Sequence, residues 1–279
     1  MNKQNITQFD LGDEAKITLA MLFMAAVKNG DREIIGSLLT ETGTWIFPGN
    51  NLLSGIARGA EAVADKAALV VRYGTNIELT HMLYSIDGLG LSLHNQGKRD
   101  GLMLDEFLHS AISYKQGKID AIDTYLSDIP GMDAFFPGAP TGEFPPNPLS
   151  DCNKIRIGKD FAKALQSKDW KLMRSQLSDD VSWTLPGRSL LSGRVDGMDE
   201  VIDRAKKLRG FGVQIKVIRF LVGLEGVTLS LHNTASRGDQ VLDQQVSILC
   251  KFTDGKISSI TTYLDDVPGI NSFFIDGII

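Results

Sequence analysis

The chain has 279 residues, of which 43% are hydrophobic and 23% charged, with a formal net charge of −5. This balance is typical of folded globular proteins and excludes fibrous and disordered classes. The negative charge gives no support to nucleic-acid binding, and no apolar run reaches the roughly 18 residues of a membrane span. Residues 1–10 lack a basic segment followed by an apolar one, so we expect a cytoplasmic protein.

The first half reads as helices followed by a strand meander. An apolar stripe that starts after Asp13 ends near Asn29 and Gly30, where a left-handed helix cap forms easily. The predicted elements are helices over 13–29 and 31–39, a strand over 44–47, a helix over 59–71, and strands over 75–86, 88–96, 102–114 and 118–126. This order predicts an α+β unit, a cone-shaped barrel in which a curved, mostly antiparallel sheet wraps around helices. The concave face of such a sheet can hold a ligand.

The second half repeats the first at a constant spacing of 138 positions, without a gap. Trp45 matches Trp183, and the segment LSLHN at 91–95 recurs at 229–233. A single spacing held over such a length predicts two complete domains in tandem, not units of a solenoid. Prolines crowd the stretch between the copies, where they disfavour helix and central strand. The predicted organisation is a first copy at 1–136, a Pro-rich linker at 137–154 and a second copy at 155–279.

Both copies carry the same series of short motifs. In order, these are W-x-x-P-G, S-G, G-x-(E/D)-x-V, H-N-x-x-x-R, L-D and G-K-I-x-x-I-x-x-Y-L-x-D. The series resembles the SnoaL-like branch of the nuclear transport factor 2-like superfamily, which includes ketosteroid isomerase and limonene epoxide hydrolase. The resemblance covers both copies almost end to end.

The resemblance implies a conical α+β barrel that often dimerises through its sheet. It also implies a small, largely apolar organic ligand, isomerised, cyclised or hydrated by acid–base chemistry without a cofactor. The two copies are expected to form the usual dimer within one chain, as an intramolecular pseudo-dimer, with further homo-oligomers left open. The alternative is a non-catalytic module for ligand binding or dimerisation that has lost the family's acid.

In several relatives that acid lies on the last strand, a few residues after the G-K-I turn. Thr124 and Thr262 hold this place here, and their alternation with neighbouring apolar residues points them towards the core. A hydroxyl can orient a substrate by hydrogen bonding but cannot act as a general base near neutral pH. The family's cyclase and hydrolase mechanisms therefore do not transfer directly.

Candidate site residues were sought at positions that the two copies share. His94 and His232 are the only matched histidines, and Asp105 and Asp243 on the next strand could orient them as in a base–orienter pair. We therefore predict catalytic roles for these four residues. Two other interpretations stay open: the histidines face solvent or an interface, or the aspartates pair with Arg99 and Arg237. Two such groups are too few for a catalytic zinc, so no metal site is predicted.

Matched aromatic residues supply the predicted substrate contacts. Trp45 and Trp183 precede the Pro-Gly turns, and Tyr125 and Tyr263 lie on the last strands. Large aromatics inside a cone either fill the core or line a ligand pocket. The predicted substrate-binding set comprises Trp45, Thr124, Tyr125, Trp183, Thr262 and Tyr263. The basic cluster that begins at Arg204 is interpreted as a solvated helix face, without a phosphate or nucleic-acid site.

Overall fold

A computed structural model of the chain describes residues 12–146 and 148–275. The first repeat consists of α1 (Asp13–Asn29), α2 (Arg32–Leu38), β1 (Leu39–Phe47), β2 (Gly55–Arg58), α3 (Gly59–Arg72), β3 (Asn76–Tyr84), β4 (Gly88–Arg99), β5 (Leu102–Lys115), β6 (Lys118–Leu126) and α4 (Ile129–Phe135). The second consists of α5 (Asp151–Ser167), α6 (Trp170–Gln176), β7 (Leu177–Leu185), β8 (Gly193–Asp196), α7 (Met198–Gly210), β9 (Gln214–Val222), β10 (Gly226–Arg237), β11 (Gln240–Thr253), β12 (Lys256–Leu264) and α8 (Val267–Phe273). The predicted α+β class and the order of elements are confirmed.

The boundaries differ from the sequence prediction in several places. Strand β1 begins at Leu39, whereas the prediction began it at residue 44. Helix α5 begins at Asp151, inside the segment predicted as linker, because Ser150 caps it by accepting a hydrogen bond from the Asn153 N–H. The short strands β2 and β8 and the helices α4 and α8 were not predicted. Helices α4 and α8 are seven-residue helices that begin after Asp128 and Asp266, whose carboxylates accept from glycine N–H groups.

Each repeat forms one strongly curved sheet. In the first, β3, β4, β5 and β6 form the antiparallel meander, β1 joins β6 in parallel, and β2 pairs with β1. The second repeat has the same order with β9 to β12, β7 and β8. Helices α1 and α3, or α5 and α7, pack on the concave face and complete two separate apolar cores. We call the space between helices and sheet the first cone in repeat 1 and the second cone in repeat 2.

The linker packs against the first repeat. Glu143 forms an antiparallel bridge with Ile56 of β2, and the Gly142 N–H donates to the Ser54 carbonyl at 3.2 Å. The approach is close: a Cβ on Gly55 would meet the backbone of Gly142 at 2.6 Å. Glycine is therefore required at Gly55 where the linker crosses it.

The two repeats meet through the convex faces and edges of their sheets. Leu126 of β6 pairs with Val222 of β9, and Leu264 of β12 pairs with Tyr84 of β3. Each pairing is the repeat equivalent of the other, so the two halves are related by a pseudo-two-fold axis. A third apolar cluster fills the contact and consists of Leu83, Ala111, Tyr125, Leu221, Leu249 and Tyr263.

Among the described residues, no helix is long and apolar enough to cross a membrane.

Candidate functional site

The first cone retains a small cavity of about 50 Å³ between α1 and the sheet. Its wall is largely apolar, with Phe23 and Met24 from α1 facing Trp45 from β1. Asn95 and Ser110 are the polar side chains among its lining residues. The second cone retains about 30 Å³, lined by Trp183 and other apolar groups together with Asn233, Gln244 and Thr262. Both cones are mostly filled by their own side chains.

The two predicted tryptophans bind the two predicted threonines. Trp45 Nε1–H donates to Thr124 Oγ1 at 3.1 Å, and Trp183 Nε1–H donates to Thr262 Oγ1 at 2.8 Å. All four residues are buried. A buried indole N–H needs an acceptor, and the hydroxyl supplies one that stays uncharged. The structure therefore brings Trp and Thr together inside each repeat, and it gives the threonine the role of a hydrogen-bond acceptor.

Asn95 and Asn233 are polar groups of the cones that sequence reasoning missed. Each follows the matched histidine, so its side chain points to the opposite face of the sheet, towards the leucines of the core. Both are 8% exposed, and neither Oδ1 has a hydrogen-bond partner in the part of the chain that the structure describes. The alternation of LSLHN contained this signal, since it assigns asparagine and leucine to one face.

Directly across the strands from Asn95 lies Glu106, a second group that sequence reasoning missed. The two residues are register partners of β4 and β5, so their side chains share the inner face. Glu106 is 1% exposed and accepts hydrogen bonds from Ser127 Oγ at 2.9 Å and from the Asp128 N–H at 3.1 Å. Burial raises the pKa of the Glu106 carboxyl to about 7, against the opposing effect of these donors.

The second repeat holds an amide at the same position. Gln244 is the register partner of Asn233, is 3% exposed, and donates from Nε2 to the Asp266 carbonyl at 2.6 Å. Glutamine has nearly the shape of glutamate but no titratable proton. The first repeat therefore holds a buried carboxyl with a raised pKa beside Asn95 of the cavity wall, and the second repeat holds its neutral analogue.

The predicted His–Asp pairs form, on the outer face of the sheet. His94 Nε2 lies 2.6 Å from Asp105 Oδ1, and His232 Nε2 lies 2.5 Å from Asp243 Oδ1. Each contact is diagonal, because the register places Phe107 opposite His94. The hydrogen bond from His94 lowers the pKa of the Asp105 carboxyl. Neither pair lines a cone cavity.

The arginines considered as partners of these aspartates bind elsewhere. Arg99 donates to the Phe135 carbonyl at 3.3 Å, and Arg237 donates to the Phe273 carbonyl at 2.9 Å. They attach the C-terminal helix of each repeat to its sheet.

Tyr125 and Tyr263 lie between the repeats and not in the cones. Both belong to the inter-repeat cluster, where burial raises the pKa of each phenol above its usual value. His109 packs edge-on against Tyr263, with ring centroids 5.1 Å apart. A Cβ on Gly90 would meet this imidazole at 2.5 Å, so glycine permits the contact. The predicted substrate contacts Tyr125 and Tyr263 thus lie outside the cones, because they alternate with the inward-facing threonines.

A buried cation supports the β1–β2 connection in the first repeat. Lys66 of α3 donates to the carbonyls of Trp45, Leu53 and Gly55 at 3.2, 2.6 and 2.9 Å, and burial lowers the pKa of its ammonium to about 7. Arg204 replaces it in the second repeat and donates to the Trp183 carbonyl at 2.6 Å. Arg204 is 5% exposed, so the prediction that its cluster forms a solvated face is wrong for this residue.

No group of three or more His, Cys, Asp or Glu side chains within residues 12–146 and 148–275 is placed to hold a metal ion.

Comparison with known proteins gives similarity at the level of structure. No protein-family model matches the chain, and no curated protein matches it. A protein from a soil-derived mobile gene cassette has 23% sequence identity and a TM-score of 0.42, over 44% of this chain and 96% of its own. An NTF2-like protein from Burkholderia xenovorans LB400 has 18% identity and a TM-score of 0.39, over 45% and 98%. An LEH-like epoxide hydrolase from M. tuberculosis has 20% identity and a TM-score of 0.36, over 44% and 90%.

Each of these solved structures thus corresponds to a share of the chain close to one repeat.

Proposed function

We propose that the first repeat carries out cofactor-free acid–base chemistry on a small, largely apolar molecule, with Glu106 as the proton-transferring group. The observation that carries the proposal is the buried carboxyl itself. Its raised pKa, about 7, leaves comparable amounts of acid and carboxylate at neutral pH. A group in this range can both take and return a proton, as isomerisation, cyclisation or hydration requires.

Asn95 is the proposed partner of this carboxyl. Its Oδ1 is buried beside the cavity without a hydrogen-bond partner among the described residues, so it can accept from a substrate hydroxyl. The adjacent wall is apolar, which favours a ligand with one polar group and a hydrocarbon body.

The cavity volume limits the size of the ligand. A cavity of about 150 Å³ accommodates benzene in a protein core, whereas the first cone holds about 50 Å³. Binding therefore requires side chains of the wall to move. Met24 on α1 is suited to this, since an unbranched thioether changes rotamer easily. The proposed substrate is accordingly a molecule of few heavy atoms.

The second repeat serves as the internal control for this proposal. Glu106→Gln gives the first cone the group found in the second, and Gln244→Glu does the reverse. Two probes of similar size report the chemistry: deuterium exchange at the α-carbon of cyclopentanone in D₂O, and hydration of cyclopentene oxide, both followed by proton NMR. The chain should accelerate at least one of them, and Glu106→Gln should reduce that acceleration at least tenfold. Equal rates for the wild type and for Glu106→Gln would contradict the proposal.

The outer His–Asp pairs remain a second proposed location for the base. A chain with His94→Ala and His232→Ala separates the two locations, because these residues lie outside the cones. Loss of turnover in that chain, with turnover retained by Glu106→Gln, would place the chemistry on the outer face.

A non-catalytic module is the rival function, and the small cone volumes favour it. In this case the cones support the packing of the two sheets, and the buried carboxyl only caps the turn after β6. The rival function predicts that neither probe reacts faster with the wild type, with Glu106→Gln, with Gln244→Glu or with the double histidine variant.

A further inference from the structure

A larger space lies outside the cones, between the two repeats on the pseudo-two-fold axis. It has a volume of about 280 Å³, several times that of either cone cavity. Its walls come from equivalent positions of both repeats, such as Leu83 with Leu221 and Ser92 with Ser230. We call this space the axial groove. It exists only while the two convex faces are packed together.

The axial groove combines an apolar floor with basic side chains in its lining. Its floor is aliphatic, from Leu83, Leu221 and neighbouring side chains, and hydroxyls of serine and threonine stand around it. The ionisable side chains that line it are His81, His232 and Arg219, and its lining includes no aspartate or glutamate. A space with an apolar floor and basic groups at its edge complements a ligand that has a hydrocarbon body and an anionic head.

Arg219 is positioned to bind the anionic head of such a ligand. Its guanidinium carbon lies 3.6 Å from the centroid of the Phe107 ring. His94 stacks on the same ring at 4.2 Å with an interplanar angle of 2°. Two groups at these distances cannot share one face of a ring, so Phe107 is sandwiched between them. Cation–π stacking leaves the N–H edges of a guanidinium available, because the interaction uses its flat face.

Those N–H groups have no partner in the part of the chain that the structure describes. Within residues 12–146 and 148–275, the Arg219 side chain makes no hydrogen bond or salt bridge, although Asp105 is close enough for the guanidinium to lower the pKa of that carboxyl. One of the two Asp105 oxygens, Oδ1, lies 2.6 Å from His94 Nε2. Arginine binds carboxylates through two parallel N–H groups, and it does so more strongly where water is partly excluded.

We propose that the axial groove is a binding site for a small organic carboxylate with an apolar body, anchored by Arg219. The Phe107 ring orients the guanidinium, and Leu83 with Leu221 contact the hydrocarbon part. Gln245 occupies the repeat equivalent of Phe107, so the site is asymmetric and binds one ligand per chain.

Isothermal titration calorimetry on the full chain tests this proposal. The probes are benzoate and hexanoate, each with its neutral amide, benzamide or hexanamide, at low and at high salt. We expect the carboxylates to bind at least tenfold more tightly than the amides. Arg219→Met should remove that preference, Arg219→Lys should keep part of it, and Arg188→Gln, at an exposed arginine outside the groove, should keep all of it.

Two further chains separate the axial groove from the cone. Glu106→Gln should bind the carboxylates as the wild type does, so the groove can be tested whether or not the cone is catalytic. Leu221→Trp should fill the groove and weaken binding at least tenfold, with the unfolding midpoint reporting that the chain is folded. Equal affinity for acids and amides, no binding by the wild type, or unchanged binding by Arg219→Met would overturn the proposal.

Discussion

The two repeats share their fold and the residues that support it, but some of the polar residues inside them differ. Both keep the Trp–Thr hydrogen bond and the inward asparagine. They differ at two equivalent positions: Glu106 of the first repeat is Gln244 in the second, and Ser110 of the first cone is Ile248 in the second. Shared residues support the architecture that both halves need. The differing residues carry the chemistry that only one half is proposed to perform.

The shared tryptophans should give the largest effects on stability, and equal ones. Trp45→Ala and Trp183→Ala each remove a buried aromatic, and we expect each to lower the free energy of unfolding by about 3–5 kcal/mol. Thr124→Val and Thr262→Val leave an indole N–H unpaired and should cost about 1–3 kcal/mol. Urea denaturation followed by circular dichroism measures all four. A large effect in one repeat only would show that the Trp–Thr pair is not a shared structural device.

Because Glu106 can titrate and Gln244 cannot, the free energy of unfolding should depend on pH through the first repeat. The pKa of Glu106 is about 7 in the folded chain, whereas the ordinary value for a glutamate carboxyl is 4.5. The neutral carboxyl therefore contributes stability that is complete below pH 4.5 and disappears as the pH rises through 7. Over that window the unfolding free energy of the wild type should fall by about 3 kcal/mol relative to Glu106→Gln. Denaturation curves at several pH values test this, and parallel curves for the two chains would contradict it.

The contact between the repeats contains an ion pair at only one of two equivalent places. Lys251 Nζ lies 2.9 Å from Asp123 Oδ2, whereas the equivalent positions hold Ser113 and Thr261. Asp123→Thr and Lys251→Ser copy those residues. Each single change leaves one charge without its partner and should cost about 1–2 kcal/mol, and the double change should cost less than the sum. A double-mutant cycle by denaturation measures the coupling, and strict additivity would contradict a direct ion pair.

The smallest expected effect concerns a helix end. Gly30 ends α1 with φ of 66°, and its repeat equivalent Lys168 ends α5 with φ of 59°. A non-glycine residue is strained in this left-handed region. Lys168→Gly should therefore raise the free energy of unfolding by about 0.5–1 kcal/mol, and Gly30→Lys should lower it by a similar amount. Thermal denaturation with both variants reports the sign of each change.

Much of the fold could be predicted from the sequence, because hydrophobic periodicity and the constant spacing of the motifs are local signals. The sequence pattern does not predict helices α4 and α8, because each has only seven residues and depends on an aspartate cap. The start of α5 was missed because the nearby prolines were taken to extend the linker to residue 154.

The site was harder to predict, for a physical reason. Selecting residues by identity between the copies favoured His94 and Tyr125, which alternate outwards from the sheet. The same selection excluded Glu106, because the second copy has glutamine there. The inward direction of Glu106 follows from its alternation with Leu104 and Leu108 on β5. Its position beside Asn95 depends on the cross-strand register of β4 with β5, which the sequence pattern alone does not contain.

The most direct test of the account is a carbon-13 NMR titration of the glutamate carboxyls in the full chain. The account predicts one side-chain resonance with a midpoint near pH 7 that is absent from Glu106→Gln and accompanied by a second in Gln244→Glu. If every glutamate carboxyl of the wild type titrates in its ordinary range near 4.5, the first cone holds no proton-transferring group and the proposed difference between the repeats is wrong.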